Sequence, residues 1–233
     1  MSRVTEYYDK IYGFKDYQAE ASKLCDLAHK YGKADGSRLL DVACGTGQHI
    51  AHLKHNFVVE GMDISEAMLA IARQRNPGVP LHLADMMAFD LESLFDVVTC
   101  LFSSIGYTRT LSGFERAVRC MARHLVPGGL LVVEPWLTPE AWKPGTVHAL
   151  MVDEPELKIA RVNTSGVDGR LSFFDLHHLI GTSQGTEHVV ERHELGLFTI
   201  DEMTAAFAAA GLTAEFDPVG LTGRGILLGL HPG

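Results

Sequence analysis

Short apolar runs alternate with segments of helical spacing between residues 38 and 136, and this alternation limits the possible folds more than any other feature. Each run is bounded by polar residues or glycine, as expected for a strand buried in a parallel sheet. Strands separated by helices need crossover connections, which join parallel neighbours. The sequence therefore predicts an α/β fold with five such strands: SRLLDVAC, FVVEGMD, VPLHLADM, FDVVTCLF and LLVVEPW.

The pattern changes after Trp136, because residues 147–195 lose the helical spacing. Three segments there alternate or are rich in β-branched residues, with glycine-containing turns between them: KIARVNTSG, GRLSFFDLHHLIG and EHVVERHELGLF. They predict a small, three-stranded antiparallel insert after the fifth strand, which we assign to residues 145–197 and expect to form a platform for the substrate. The remaining segments predict one more helix, TIDEMTAAFAAAG, and two last strands, TAEFDPVG and GILLGLHP.

Residues 1–233 are expected to form a single domain, because no internal repeat and no linker rich in Pro, Gly or Ser divides the chain. Helical spacing in KDYQAEASKLCDLAHKY predicts an N-terminal helix, and residues 1–31 are assigned to a lid or helix. The hydroxyl side chains expected to cap helix N-termini are Ser65, Ser112 and Thr199.

Charge and composition disfavour several classes of protein. The net charge of -9 argues against a nucleic acid partner. No apolar run is long enough to span a membrane, and the first residues lack the apolar region of a secretion signal. The 4 cysteines form no Cys-x-x-Cys pair and the 12 histidines no His-Glu-x-x-His motif, so no metal is expected. These features favour the reducing cytoplasm, and a homodimer is left open.

The segment LLDVACGTGQHI places a glycine turn directly after the first strand. Parallel sheets bind ligands beyond the carboxyl ends of their strands, and Gly45 and Gly47 let the backbone pass close to such a ligand. A dinucleotide fingerprint would have a third glycine at position 50, where this chain has Ile50. The turn therefore favours a nucleoside ligand without a pyrophosphate.

Acidic residues at the ends of the first three strands indicate which ligand that is. Asp63 can accept hydrogen bonds from both hydroxyls of a ribose, although NAD would use the same residue. Asp85 can accept from an adenine amino group while Met62 and Met86 cover the ring, and Asp41 is placed for an ammonium. A ligand with positive charge and no phosphate, S-adenosylmethionine, fits this set.

Four segments in register, LLDVACGTGQHI, GMDISEAMLAIAR, LADM and FDVVTCLFSSIGY, resemble the successive motifs of class I S-adenosylmethionine-dependent methyltransferases. The resemblance implies a Rossmann-like fold with a seven-stranded, mostly parallel sheet and an antiparallel hairpin at its edge. The cofactor is then expected to contact these residues: Tyr12, Tyr17, Asp41, Ala43, Gly45, Gly47, Asp63, Ile64, Met68, Asp85, Met86 and Leu101.

A narrower resemblance covers nearly the whole chain. The segments YYDKIYGFKDYQAEA, FSSIGY, LVVEPW, LFT and GLTGRG are similar to those of N,N-dimethyltransferases that act on nucleotide-linked amino sugars. It implies a dTDP-linked 3-amino deoxysugar as substrate and an amine methylated twice. The chain departs from that family at Leu137, where a second Trp is common, and at Tyr107, where some members have His.

Methyl transfer from a sulfonium needs an in-line nucleophile, and an amine must lose a proton before it can attack. The candidates around the amine are Tyr107, Glu134 and His177, each of which has a structural role as its alternative. Arg224 lies between glycines, where its guanidinium can approach a diphosphate. The residues expected to bind substrate are Ser103, Ser104, Trp136, Arg161 and Arg224, and Tyr12 and Tyr17 are expected to close over the cofactor.

Other functions remain open at this point. An O- or N-methyltransferase of a different small metabolite has the same cofactor residues. An NAD-dependent oxidoreductase is disfavoured by Ile50 and by the lack of a Tyr-x-x-x-Lys pair. A non-catalytic binding module that merely retains the fold is disfavoured by the intact acidic and glycine positions.

Overall fold

The computed structural model describes residues 3–32 and 36–233, and it contains two β-sheets. Seven strands form the first sheet and four form the second, in the orders β10-β11-β5-β4-β1-β2-β3 and β6-β7-β8-β9. The strands are β1 (Arg38–Val42), β2 (Val58–Asp63), β3 (Leu81–Leu83), β4 (Phe95–Cys100), β5 (Leu125–Val133), β6 (Val147–Glu154), β7 (Leu157–Asp168), β8 (Leu171–Thr182), β9 (Gly185–Gly196), β10 (Thr213–Asp217) and β11 (Ile226–Leu230).

The helices lie between these strands and before the first one. They are α1 (Arg3–Glu6), α2 (Tyr8–Ile11), α3 (Tyr17–Tyr31), α4 (Gln48–Leu53), α5 (Glu66–Arg75), α6 (Leu111–Ala122) and α7 (Ile200–Ala209), with a short 3-10 helix at Ser104–Thr108. In the part of the chain that the structure describes, no helix combines the length and the apolar character needed to cross a bilayer.

Side chains cap four of the described helices, α3, α5, α6 and α7, and two of these caps agree with the sequence. Ser65 accepts a hydrogen bond from the amide of Met68, and Thr199 forms a reciprocal capping box with Glu202. The cap expected at Ser112 is wrong, because Thr110 accepts from the Gly113 amide and α6 begins at residue 111. Ser112 is therefore inside the first turn.

The seven-stranded sheet has the predicted topology. Strands β1 to β5 are parallel, whereas β11 runs antiparallel to both β5 and β10 and gives the sheet its antiparallel edge. Strand β1 lies between β2 and β4, so Asp41 is in register with Gly61 and Thr99. The chain order reverses at β1 and β4, and ligands bind at the carboxyl edge of such a switch point.

Apolar side chains cover both faces of this sheet, as a parallel sheet requires. On one face α6 and α7 pack through residues such as Phe114, Met121 and Phe207. On the other face α3, α4 and α5 contribute Leu24, Leu53 and Leu69. Because helices bury both faces of the sheet, a ligand site can lie only in the loops at its carboxyl edge.

The insert after β5 is antiparallel, as expected, but it has four strands rather than three. Strand β6 was missed because most of its side chains are exposed and its sequence shows no regular alternation. Along β8 the side chains alternate between two faces: Leu176, His178 and Ile180 are buried, whereas His177 and Leu179 are exposed. The inner face packs on Ile11 of the N-terminal segment.

Candidate active site

The turn between β1 and α4 is built around left-handed backbone conformations. Ala43, Gly45 and Gly47 have φ of 58°, 56° and 72°. A Cβ at Gly47 would lie 2.6 Å from Nδ2 of Asn76, so glycine is needed there to seat the turn against α5. A Cβ at Gly45 would enter open space, which leaves its backbone accessible to a ligand.

Asp63 ties this turn to the start of α5. Its Oδ2 accepts from the amide of Gly45 at 2.8 Å, and its Oδ1 accepts from the amide of Ser65 at 2.8 Å. Burial raises the pKa of Asp63, although the backbone donors act in the opposite direction. A carboxylate has about four acceptor positions, so the backbone amides leave Asp63 able to accept from a ribose as well.

A narrow pocket of about 90 Å³ lies beside Asp63. Apolar side chains form most of its wall, and Asp85 lies at its edge while accepting from the amide of Met87 at 2.8 Å. The pocket suits a flat, mostly apolar ring with one polar edge. The expected cofactor residues that line it are Ala43, Asp63, Ile64, Asp85 and Met86.

A second pocket, of about 40 Å³, lies on the other side of the turn and contains Asp41. Oδ1 of Asp41 accepts from the Thr99 hydroxyl at 2.9 Å, whereas Oδ2 is buried without a hydrogen-bond partner among the described residues. Burial raises the pKa of Asp41 to about 6. An unpartnered buried carboxylate oxygen fits a bound cation, which would replace the lost water.

Further expected cofactor residues line the Asp41 pocket, and three others lie elsewhere. Tyr17, Ala43, Gly45 and Leu101 belong to its wall, together with Tyr8, which the sequence analysis missed. Tyr12 lines the larger cavity described below, Gly47 packs against α5, and Met68 lies within α5, so these three remain predictions that the pocket walls do not include.

The N-terminal segment is fastened to the glycine turn by Asp9. One oxygen of Asp9 accepts from the Thr46 hydroxyl at 2.7 Å, and the other accepts from Arg75, which also donates to the Thr46 carbonyl. Lys10 pairs with Glu154 of the insert at 2.8 Å. Helix α2 is thus held between the turn and the insert, and Asp9 had no signal in the sequence.

A larger cavity of about 460 Å³ lies between the N-terminal segment, the loop after β4 and the inner face of the insert. All five residues expected to bind substrate line it: Ser103, Ser104, Trp136, Arg161 and Arg224. Residues from the insert that the sequence analysis did not single out complete the wall, among them Trp142, His148, Asn163, Phe174 and His193.

Two arginines supply positive charge to the large cavity. The guanidinium carbon of Arg161 lies 5.4 Å from the centre of the Tyr12 ring, and that of Arg224 lies 5.7 Å from Trp136. Within the described chain neither arginine forms an ion pair with a carboxylate, and Nε of Arg161 is buried without a partner. Such cations are available to an anionic ligand.

The pockets meet at a few shared residues. Tyr8, Phe102 and Ser104 line both the Asp41 pocket and the large cavity, and Tyr107 lines both the narrow pocket and the large cavity. The Tyr107 hydroxyl is 2.6 Å from Nδ1 of His193. Burial raises the pKa of Tyr107, so its phenol is neutral at physiological pH.

The structure does not place Glu134 at the cavity wall. Its side chain is fully buried; one oxygen accepts from the amide of Phe102 and the other from the hydroxyl of Thr222, both at 2.7 Å. Both oxygens are therefore used to hold two loops together. The expected role for Glu134 beside the amine is replaced by this structural one, which was its alternative.

His177 also lies away from the cavity. It is on the exposed face of the insert, where its ring stacks on that of His188 with centroids 5.3 Å apart. Since neighbouring residues of a strand point to opposite faces, position 177 cannot share the inner face with Phe174 and Leu176. His193, in register with Phe174, is the histidine that reaches the cavity.

Carboxylates lie at the carboxyl edge of the seven-stranded sheet, and the glycine turn lacks the third glycine that a pyrophosphate would need. This site suits a cationic nucleoside. Together with the fold, it defines a class I S-adenosylmethionine-dependent methyltransferase. Comparison with known proteins agrees, because residues 39–129 match the family model described as a methyltransferase domain. Within the described residues no cluster of side chains is arranged to hold a metal ion.

The chain belongs to the family of S-adenosylmethionine-dependent sugar N,N-dimethyltransferases. It is 43% identical to the dTDP-3-amino-3,6-dideoxy-alpha-D-glucopyranose N,N-dimethyltransferase of Streptomyces fradiae, over 97% of this chain and 90% of that protein. The crystal structure of DesVI from Streptomyces venezuelae superposes with a TM-score of 0.92 at 40% identity, covering 98% of each chain. SAM-bound CalS10, an amino pentose methyltransferase from Micromonospora echinaspora, gives 0.88 at 38% identity, covering 99% and 97%.

Proposed function

We propose that this protein dimethylates the amino group of a dTDP-linked amino deoxysugar. The observation that carries the proposal is the pair of arginines, Arg161 and Arg224, in a cavity that shares walls with the cofactor pockets. A diphosphate is the part of a nucleotide sugar that two guanidinium groups would bind. Relatives are named for dTDP-linked amino deoxysugars that differ in the sugar itself, so the choice of sugar depends on this cavity.

The cofactor pockets fit S-adenosylmethionine residue by residue. Asp63 would bind the ribose hydroxyls and Asp85 the adenine amino group, with Ile64 and Met86 against the ring. The unpartnered oxygen of Asp41 would bind the ammonium of the methionine part. When bound, S-adenosylmethionine supplies a methyl group on a positively charged sulfur, which an amine can attack.

The large cavity would orient the amine rather than activate the methyl group. Aromatic rings of Trp136, Trp142 and Phe174 form one cluster in its wall, with centroids 5.7–6.4 Å apart, and can stack on the sugar or the base. The amine is then directed to the junction lined by Ser104 and Tyr107. Correct placement of two reactants can lower a barrier by roughly 7–11 kcal/mol at best.

The N-terminal segment would act as a lid and the insert as the platform beneath the sugar. Tyr8 and Tyr12 line the pockets from the lid side, and Asp9 fastens that side to the glycine turn. In Asp9→Ala we expect faster dissociation of S-adenosylmethionine, measured by stopped-flow fluorescence, because the closed lid excludes water and retains the ligand. Glu6→Ala, in the same segment, is the control, and an equal rate in both variants would contradict the lid.

Mass spectrometry of the reaction products tests the proposed activity. The purified protein and S-adenosylmethionine are incubated with dTDP-linked 3-amino and 4-amino deoxyhexoses, a dTDP-linked amino pentose, and dTDP-glucose as a control without an amine. We expect one and then two methyl groups on the nitrogen of at least one amino sugar. Methylation of dTDP-glucose would indicate an O-methyltransferase, and cofactor binding without any methylated amino sugar would overturn the proposal.

We also propose that two copies of the chain pair through the outer face of the insert. Large apolar side chains are exposed there on neighbouring strands, with Met151, Val162, Leu179 and Val190 at 68%, 45%, 50% and 51% exposure. The cross-strand register puts them in adjoining rows, so they form one patch. Contiguous exposed patches of this kind mark interfaces, and a twofold axis would pair the patch with itself.

Light scattering after size-exclusion chromatography tests the dimer. We expect a dimer for the unmodified protein and a monomer for Leu179→Glu, because a carboxylate would be buried without a partner. Val58→Glu is the control, since Val58 is 62% exposed but lies in the other sheet. A monomeric unmodified protein would show that the patch is not a self-association surface.

A further inference from the structure

An amine that is to be methylated twice must lose a proton before each transfer. Aliphatic amines are protonated at neutral pH, and an ammonium has no lone pair with which to attack carbon. The structure places the expected acceptors Glu134 and His177 outside the wall of the large cavity. The described residues nevertheless contain a pair of titratable groups at the junction of the pockets, Tyr107 and His193.

Tyr107 and His193 are brought together from distant parts of the chain. Tyr107 lies in the 3-10 helix after β4, His193 lies in β9, and their side chains meet at 2.6 Å. The His193 ring stacks on Phe174 with centroids 5.5 Å apart and an interplanar angle of 11°. This stacking fixes the plane of the imidazole, so that Nδ1 is directed to the Tyr107 hydroxyl.

Charged and titratable groups surround the His193 ring. Nε2 lies 3.9 Å from a carboxylate oxygen of Glu191 on the same strand. The other titratable groups nearby are His178 on β8, Arg161 on β7 and Tyr12 in the N-terminal segment. Burial lowers the pKa of His178, which keeps that ring neutral and removes one source of repulsion.

We propose that Tyr107 and His193 form a proton relay that deprotonates the substrate amine, a role that rests on the proposed function. An N–H bond of the ammonium breaks and its proton bonds to Oη of Tyr107, while the phenolic proton passes to Nδ1 of His193. The products are a neutral amine, a neutral phenol and an imidazolium facing Glu191. The imidazolium then loses a proton to bulk water, and the neutral ring exchanges with solvent until its proton is on Nε2 and Nδ1 can accept from Tyr107 again for the second transfer.

Tyr107 transmits the proton and does not store it. Because the pKa of a tyrosine phenol is ordinarily about 10, the phenolate is scarcely populated at neutral pH and a second acceptor is required. Imidazole is the side chain suited to that task near neutral pH. His193 is therefore the acceptor, and Tyr107 is the group that contacts the amine.

The test is the pH dependence of kcat/KM for an amino sugar that the unmodified protein methylates. Glutamine at position 193 can still accept a hydrogen bond from Tyr107 but cannot take its proton. For His193→Gln we expect a loss of about a hundredfold near pH 7, at the lower end of general-base effects. The loss should largely disappear near pH 9.5, where bulk water deprotonates more of the amine.

Tyr107→Phe retains the ring and interrupts the same relay, so it should show the same pH profile, and the double variant should lose little more than either single one. His55→Gln removes an exposed imidazole at the end of α4 and is the control. Affinity for S-adenosylmethionine, measured on each variant, reports the integrity of the fold. A loss that is equal at both pH values, or no loss, would overturn the relay while leaving the methyltransferase activity established.

Discussion

The cofactor pockets and the large cavity are built in different ways. Asp63 contacts Gly45 and Ser65, which are 18 and 2 residues away along the chain. In the large cavity, the contact of Tyr107 with His193 spans 86 residues and that of Arg224 with Ser103 spans 121. The first site is thus a property of consecutive strand ends, and the second depends on how the insert and the last loop pack. Because they share few residues, they should respond separately to substitution.

Asp63→Ala should have the largest effect, and it should be confined to the cofactor pockets. The variant loses two charge-assisted hydrogen bonds from backbone amides as well as the ribose contact, and each such bond contributes about 1.5–3 kcal/mol. We expect the affinity for S-adenosylmethionine to fall by about a hundredfold or more, measured by calorimetry, with dTDP affinity unchanged. Glu66→Ala, at an exposed neighbouring site, is the control. An equal loss of affinity for S-adenosylmethionine and for dTDP would contradict the separation of the cofactor pockets from the large cavity.

Arg224→Ala tests the same separation from the other side. Loss of a charged hydrogen-bond donor to the diphosphate should weaken binding of the nucleotide sugar by about thirtyfold, or about 2 kcal/mol. The affinity for S-adenosylmethionine should not change. Arg73→Ala removes a surface arginine paired with Glu66 and is the control. Calorimetry with dTDP and with the cofactor measures both, and a matching fall in cofactor affinity would contradict the diphosphate role.

The charge of Asp41 gives the cofactor pockets a pH dependence that the large cavity should lack. Burial raises its pKa from 3.8 to about 6, so the carboxylate needed by an ammonium is lost as the pH falls through 6. Below that point we expect the dissociation constant of S-adenosylmethionine to rise about tenfold per pH unit. Asp41→Asn should abolish the slope, and a slope that persists in that variant would assign it to another group.

The raised pKa of Asp41 has the opposite pH effect on the stability of the ligand-free fold. Because the folded state holds the proton of Asp41 more tightly than the unfolded chain does, ionisation of Asp41 destabilises the fold as the pH rises from about 4 to 6. A bound cation would cancel that cost. Thermal unfolding with and without S-adenosylmethionine should therefore diverge as the pH rises through this range, and parallel curves would contradict a cation beside Asp41.

Glu134→Gln should have the smallest effect on activity, although it joins the two regions. Glu134 links Phe102, which lines both sites, to Thr222. Replacing a charged acceptor by a neutral one should lower the free energy of unfolding by about 1–3 kcal/mol. Urea denaturation measures this, and kcat should stay close to that of the unmodified protein. A large fall in kcat without a loss of stability would indicate that Glu134 takes part in catalysis.

The sequence is sufficient for the cofactor pockets because their geometry follows from position along the chain. An acid at the end of a parallel strand lies at the carboxyl edge whatever else the fold does, so Asp41, Asp63 and Asp85 could be assigned from the alternation of strands and helices. The parallel order follows from the same pattern, whereas the antiparallel edge was implied by the family resemblance. The sequence does not distinguish the cap of α6, since Thr110 and Ser112 both suit the position.

The large cavity could be predicted only in part, because it depends on which face of each insert strand points inward. The sequence shows several histidines in the insert but not that His193 faces the cavity and His177 faces away. Glu134 was placed at the correct end of β5, but its burial depends on loops 32 and 88 residues away. The contacts of Tyr8 and Asp9 join distant parts of the chain, so no local sequence pattern predicts them.

The register of the insert also constrains how such a protein can acquire a new substrate. Strands β7, β8 and β9 have 12 residues each and send alternate side chains to the cavity and to the outer face. Inserting or deleting one residue within any of them would exchange its two faces beyond that point and put wall residues on the surface. Specificity in this sheet can therefore diverge through point substitutions, whereas changes in chain length are confined to its turns.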